Sequence, residues 1–156
     1  MKLSERFSVE PQRDANHATS VNDTTPARVR VLLDGQASRC VVGGEELEAA
    51  IECADKFLLV LNDGVFWEEG LNIHLLGPDL QLLDSVSMGW PYTPGIFTKL
   101  SLHAPDTIEF SFPGETRWRV RVLSGRRWQV PRPAWFSGVS RPIGWWRWLE
   151  LTELNR

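Results

Sequence analysis

The sequence predicts an all-β fold: an antiparallel meander forming a sandwich or incomplete barrel of roughly ten strands, with at most one short helix. Three observations carry this. Residues 96–130, IFTKLSLHAPDTIEFSFPGETRWRVRVLSGRRWQV, alternate apolar and polar side chains between Ala-Pro-Asp, Pro-Gly-Glu and Ser-Gly-Arg breaks. That period belongs to strands with one buried face. Turn chemistry recurs upstream at Asp34-Gly35, Gly43-Gly44, Asn62-Asp63-Gly64 and Gly77-Pro78. Residues 57–61, FLLVL, are continuously apolar, which marks a central strand covered on both faces.

Taken in order, residues 1–26 are polar and without period, and read as a flexible N-terminal arm. Residues 27–156 then form a single all-β domain. Residues 27–34 (ARVRVLLD) alternate as a strand and end in the Asp34-Gly35 turn. Residues 38–42 form a short strand that Gly43-Gly44 ends, and a tight hairpin there sets Cys40 near Leu47. Residues 45–54 (EELEAAIECA) fit both periods. Leu47, Ala50, Ile51 and Ala54 have helical spacing; Leu47, Ala49, Ile51 and Cys53 have strand spacing. Composition favours a helix, but the preceding turn and the following strand favour β, and the segment is read as a strand. After an irregular connection at 65–70, residues 71–76 and 80–88 form a hairpin. A loop at 76–79 sets Leu75 opposite Leu80 and Ile73 opposite Leu82. The segment 89–95 (GWPYTPG) has two prolines and is no interior strand. A proline-punctuated loop at 131–142 precedes the last strand, 143–151 (IGWWRWLEL).

Facing residues on paired strands must share a face, so each turn length in the meander can be tested. A three-residue loop at 113–115 pairs Phe110 with Trp118 and Ile108 with Val120. The same rule at 104–106 pairs Leu102 with Ile108 and Leu100 with Phe110, and at 124–126 it pairs Val122 with Trp128. One core face results, with Trp118 and Trp128 in it. The opposite face carries Arg117, Arg119 and Arg121, with Glu109 across from Arg119 and Thr107 across from Arg121. This ladder is either a solvated sheet face or a docking surface for an acidic partner.

A chain of 156 residues with 42% hydrophobic content is long enough for one domain with a real core. Its net charge of −3 argues against general nucleic-acid binding. The charge is unevenly spread: Glu45 to Asp84 holds ten acidic residues against one lysine, and Gly114 to Trp148 holds eight arginines against one glutamate. The start MKLSERFSVEPQRD has no apolar core of signal-peptide length, and no apolar run reaches the ~18 residues of a membrane span. Cys40 and Cys53 read as reduced thiols, too few for a zinc site. Together these features point to a small bacterial protein of the cytoplasm.

Eight tryptophans make the chain tryptophan-rich. In the last strand Trp145 falls on one face and Trp146 and Trp148 on the other, so the strand is either sandwiched between layers or offers a stacking platform. Phe66, Trp67, Trp90 and Tyr92 lie in loops, where large aromatics either plug the end of a sandwich or contact a partner. Asp63, Glu68, Glu69 and Asp84 surround His74, but no carboxylate stands at a motif spacing. His74 itself is expected on the outward face of its strand. No nucleophile elbow or phosphate loop is present. The function expected is a non-catalytic protein-interaction module, such as an immunity-type toxin antagonist whose acidic half masks a basic active site. The partner is another protein, contacted through Phe66, Trp67, Glu68, Glu69, Trp90, Tyr92, Arg117, Arg119 and Arg121. No cofactor, metal, nucleic acid or membrane is expected, and a homodimer is compatible. The alternative is a carbohydrate or small-ligand module using tryptophan stacking; a carboxylate-based hydrolase ranks third.

Overall fold

The computed structural model describes residues 1–12, 27–64, 69–90, 92–93, 95–130 and 138–155. Among these the chain forms thirteen strands and no helix. They are β1 (Lys2–Leu3), β2 (Phe7–Pro11), β3 (Arg28–Leu33), β4 (Gln36–Gly43), β5 (Glu46–Cys53), β6 (Lys56–Asn62), β7 (Leu71–Leu76), β8 (Leu82–Met88), β9 (Thr98–His103), β10 (Thr107–Ser111), β11 (Arg117–Trp128), β12 (Val139–Ser140) and β13 (Trp146–Asn155). They pair antiparallel in three sheets, ordered β1-β5-β6-β7-β8-β12, β13-β11-β10-β9 and β2-β3-β4, and none closes into a barrel. No helix among the described residues is long and apolar enough to cross a membrane.

The six-stranded sheet is the middle layer. Leu58 and Val60 of β6 enter one core with Ile51, Ile73 and Val86, packed against Ile108, Phe110, Trp118 and Val120 of the four-stranded sheet. Leu59 and Leu61 enter a second core with Ala50 and Leu76, packed against Phe7, Val29, Val31 and Val42 of the other two-faced layer's partner, the three-stranded sheet. The unbroken FLLVL run is thus central and covered on both sides, because alternate side chains of one strand feed separate cores. Burying each such side chain stabilises the fold by about 1.5–3 kcal/mol relative to exposure.

Several local readings hold. Asp34 and Gly35 both have positive φ, +52° and +76°, the geometry of a type I′ hairpin turn. Residues 46–53 are a strand paired to β6. In the meander Phe110 faces Trp118, Ile108 faces Val120, and Leu102 faces Ile108.

Others need correction. Residues 1–12 are not an arm: β1 pairs with β5 and β2 with β3. Phe7 supplies the anchor, its ring 4.9 Å from that of Phe57, and one such contact leaves no period in the sequence. Residues 13–26 lie outside the described residues. Gly43-Gly44 makes no hairpin, since β4 and β5 belong to different sheets. In the β7–β8 hairpin Leu75 faces Asp84 and Ile73 faces Val86, with a register shift beside Leu76. Leu100 is not opposite Phe110, because the β9–β10 register shifts between Glu109 and Ser111. Finally, no turn forms at 124–126. β11 runs on to Trp128 and pairs with β13, its register shifting between Val122 and Arg127. The slip breaks the alternation, and Trp128 is 56% exposed rather than in the core.

Leu58 and Leu59 are both fully buried, in different cores. Leu58→Ala and Leu59→Ala are each expected to destabilise the protein by about 2–5 kcal/mol in urea unfolding. A near-neutral result for either would mean that its layer does not cover β6.

Candidate interaction surfaces

The arginine ladder stands where the alternation placed it, on the outer face of the four-stranded sheet. Arg117, Arg119 and Arg121 are about half exposed, with side-chain exposures of 53%, 49% and 51%. Their partners come from the neighbouring strand. Arg119 donates through Nε and Nη2 to Glu109 Oε1 at 2.9 and 2.7 Å, and Arg117 Nη2 donates to Oε2 at 2.7 Å. Arg121 Nε donates to Asp106 Oδ2 at 3.0 Å. Lys99 pairs with Glu115 and Arg127 with Glu150. The bond from Arg119 is the main cause holding the Glu109 carboxyl below its usual pKa, and the bond from Arg121 does the same for Asp106. Each of these five cations has a carboxylate partner on the sheet or in its turns, so the ladder is a nearly self-neutralised network. The acidic half of the chain does not cover it, because the six-stranded sheet packs against the other side.

The loop candidates divide. Phe66, Trp67 and Glu68 lie outside the described residues. Glu69 is half-buried near Glu46, Glu48 and Asp63; burial and these like charges push its pKa up. Trp90 is a plug, packed 6.3 Å from Phe112 and 6.1 Å from Trp118, centroid to centroid. A Cβ at Gly138 would stand 2.1 Å from the Trp90 indole, so only glycine fits there. Tyr92 is 90% exposed.

The structure joins Trp128, expected in the core, to Trp145 and Trp146, which the sequence offered as a stacking platform. Trp128 and Trp146 are register partners across β11 and β13. Trp128 and Trp145 stack nearly parallel, 5.9 Å apart at 11°. Gln129 N–H donates to the Trp145 carbonyl at 2.8 Å, which fixes the approach to β13. All three rings are more than half exposed, with Val130 and Ile143 exposed beside them in sequence. A tryptophan presents up to ~250 Å², so the rings leave roughly 400 Å² of aromatic surface, the size of a functional patch on a soluble protein. β13 is an edge strand that buries Arg147 and Leu149 and leaves Trp146 exposed, so it is not sandwiched between layers. The GWWRW run was the available signal, but its exposure depends on that edge position.

The carboxylates grouped around His74 in the sequence do not converge. His74 is buried, not outward-facing. Its Nε2 lies 2.8 Å from the Gly43 carbonyl and Nδ1 2.8 Å from Ser85 Oγ. A carbonyl only accepts, so Nε2 carries the proton and Nδ1 accepts from the Ser85 hydroxyl. Asp63 is bound by the Asn72 amide, and burial raises its pKa. Asp84 is a structural node. Its Oδ2 accepts from Trp148 N (2.8 Å) and Leu149 N (3.0 Å), and its Oδ1 from Ser85 N (2.9 Å). Arg141 and Arg147 lie 3.9 and 3.7 Å from the same carboxylate. Among the described residues no three His, Cys, Asp or Glu side chains are placed to hold a metal ion.

Comparison of the chain with family models, with curated proteins and with solved structures gives no match.

Asp84→Ala removes an acceptor for three backbone N–H groups and strands two guanidiniums. It is expected to cost about 3–5 kcal/mol in denaturant unfolding; a loss inside experimental error contradicts the nodal role. Burial lowers the His74 pKa below its ordinary 6.5. As pH falls the unfolded chain takes the proton first, so the stability His74 contributes is complete above about pH 6.5 and is lost as pH falls through the lower native value. The urea midpoint should therefore drop more steeply between about pH 7 and pH 5 in the wild type than in His74→Gln. Parallel profiles would remove His74 as the cause.

Proposed function

We propose that the chain is a non-catalytic protein-interaction module that docks through Trp128, Trp145 and Trp146. The observation that carries this reading is the exposed, contiguous aromatic patch. Exposed aromatics of this size are costly for a soluble protein to keep bare, and tryptophan is the residue type most enriched at interface hot spots. The reading moves the docking surface away from Trp90, which is a plug, and from the arginine ladder, whose charges are matched within its own sheet.

A partner with a basic surface, as in an immunity-type antagonist, draws its support from a different place. Glu46 and Glu48 of β5 flank Asn62, which donates to both, and after burial the charges of Glu48, Glu46 and Asp63 help raise the Glu69 pKa. A group of carboxylates of this kind speeds encounter with a cationic surface. The free thiols Cys40 and Cys53 suit the reducing cytoplasm. A carbohydrate module is the second reading, favoured by the near-parallel Trp128 and Trp145 rings, which make a flat platform.

The discriminating experiment compares the wild type with a Trp128→Ala/Trp145→Ala double variant of unchanged circular dichroism. Captured proteins identified by mass spectrometry should include one that the variant loses by at least about tenfold. Identical captures by both proteins defeat the docking assignment, and quenching of wild-type tryptophan fluorescence by a glycan panel would favour the second reading.

A further inference from the structure

Apart from the tryptophan patch, the structure holds a cavity of about 350 Å³ beside the Asp84 node. That volume suits a small molecule. Arg141 and Arg147 both line it. Their side chains are only 15% and 8% exposed, and both lie within ion-pair distance of the one carboxylate of Asp84. Among the described residues two largely buried guanidiniums share this one buried carboxylate, and a buried charge without its own counter-charge is unfavourable. Both guanidiniums are also anchored to backbone carbonyls. Arg141 gives one bond to the Leu149 carbonyl at 3.0 Å, and Arg147 Nη2 bonds the Pro142 and Gly144 carbonyls at 2.7 and 3.1 Å. Burial presses the Arg141 pKa down, and the Arg147 charge adds to this, so an anion here would relieve both.

The remaining lining decides the ligand class. Val139, Ile143 and Leu151 supply apolar wall, and Gln129 an amide. Glu153 also lines the cavity but is exposed, so water screens its charge as it cannot screen the guanidiniums. Two guanidiniums sharing one carboxylate match a monoanion, and a planar carboxylate fits a guanidinium fork.

The geometry points to this cavity as a binding site for a small organic carboxylate with an apolar body, held by Arg141 and Arg147. The proposal does not rest on the tryptophan docking reading, and either can fail without the other.

The test uses the full chain and follows the indole N–H of Trp118, which lines the cavity and donates to the Phe112 carbonyl at 2.6 Å. Titration with phenylacetate should shift this resonance saturably in ¹H–¹⁵N spectra, while the neutral phenylacetamide should not. Arg141→Gln should weaken binding at least about tenfold, and Arg141→Lys should restore part of it. The blocked dipeptide acetyl-Phe-Glu-amide separates sources of the same group: weaker binding than phenylacetate supports a free acid, and tighter binding overturns that in favour of a docked chain. A non-saturating shift, an equal response to phenylacetamide, or full binding by folded Arg141→Gln overturns the site.

Discussion

Everything else in this structure depends on β6 being apolar on both faces. A strand sends alternate side chains to opposite sides, so a sheet with one wet face needs only every second residue to be apolar. Here Leu58 and Val60 serve one core while Leu59 and Leu61 serve the other. That requirement forces a layer onto each side of the six-stranded sheet. It also explains why short, weakly patterned segments such as β2 are held: Phe7 closes the second core rather than stabilising a strand of its own.

Two buried polar groups tie the outer layers to the middle one. Asp84 shares the face of Val86 and Met88 and holds the backbone of β13, at the edge of the four-stranded sheet. His74 faces the other way and holds the Gly43 carbonyl at the end of β4, in the three-stranded sheet. Apolar packing has little direction, so it leaves the sheets free to slide; a hydrogen bond made in a dry interior does not. Asp84 and His74 thus set where each outer layer sits.

The surfaces left over differ in kind. The arginine face matches its own charges, the tryptophan edge leaves apolar rings in water, and the cavity beside Asp84 is lined by two guanidiniums that share one buried carboxylate. The last two are the surfaces that invite a partner from outside the fold. Both lie around the start of β13, where an edge strand meets the chain leading into it. Edge positions are where side chains escape the pairing that a sheet interior imposes.

Local rules read from the sequence determined the strand content, the two-faced burial of β6, the Asp34-Gly35 turn and the pairings of Phe110 with Trp118 and Ile108 with Val120. These depend on side-chain period and turn stereochemistry, which act over a few residues. Tertiary structure decided the rest. Whether Ser124-Gly125-Arg126 turns or continues depends on β13 being available to pair with β11, and that one choice moved Trp128 from core to surface. The burial of His74 and Asp84 likewise depends on layers that no local pattern announces. Of the candidate sites, the arginine ladder was legible because it rests on alternation alone. Trp145 and Trp146 were legible as one possible platform, but the addition of Trp128 and the Arg141–Arg147 cavity were not, because each is assembled from strands distant in the chain, and sequence period records which face a residue takes but not what will cover it.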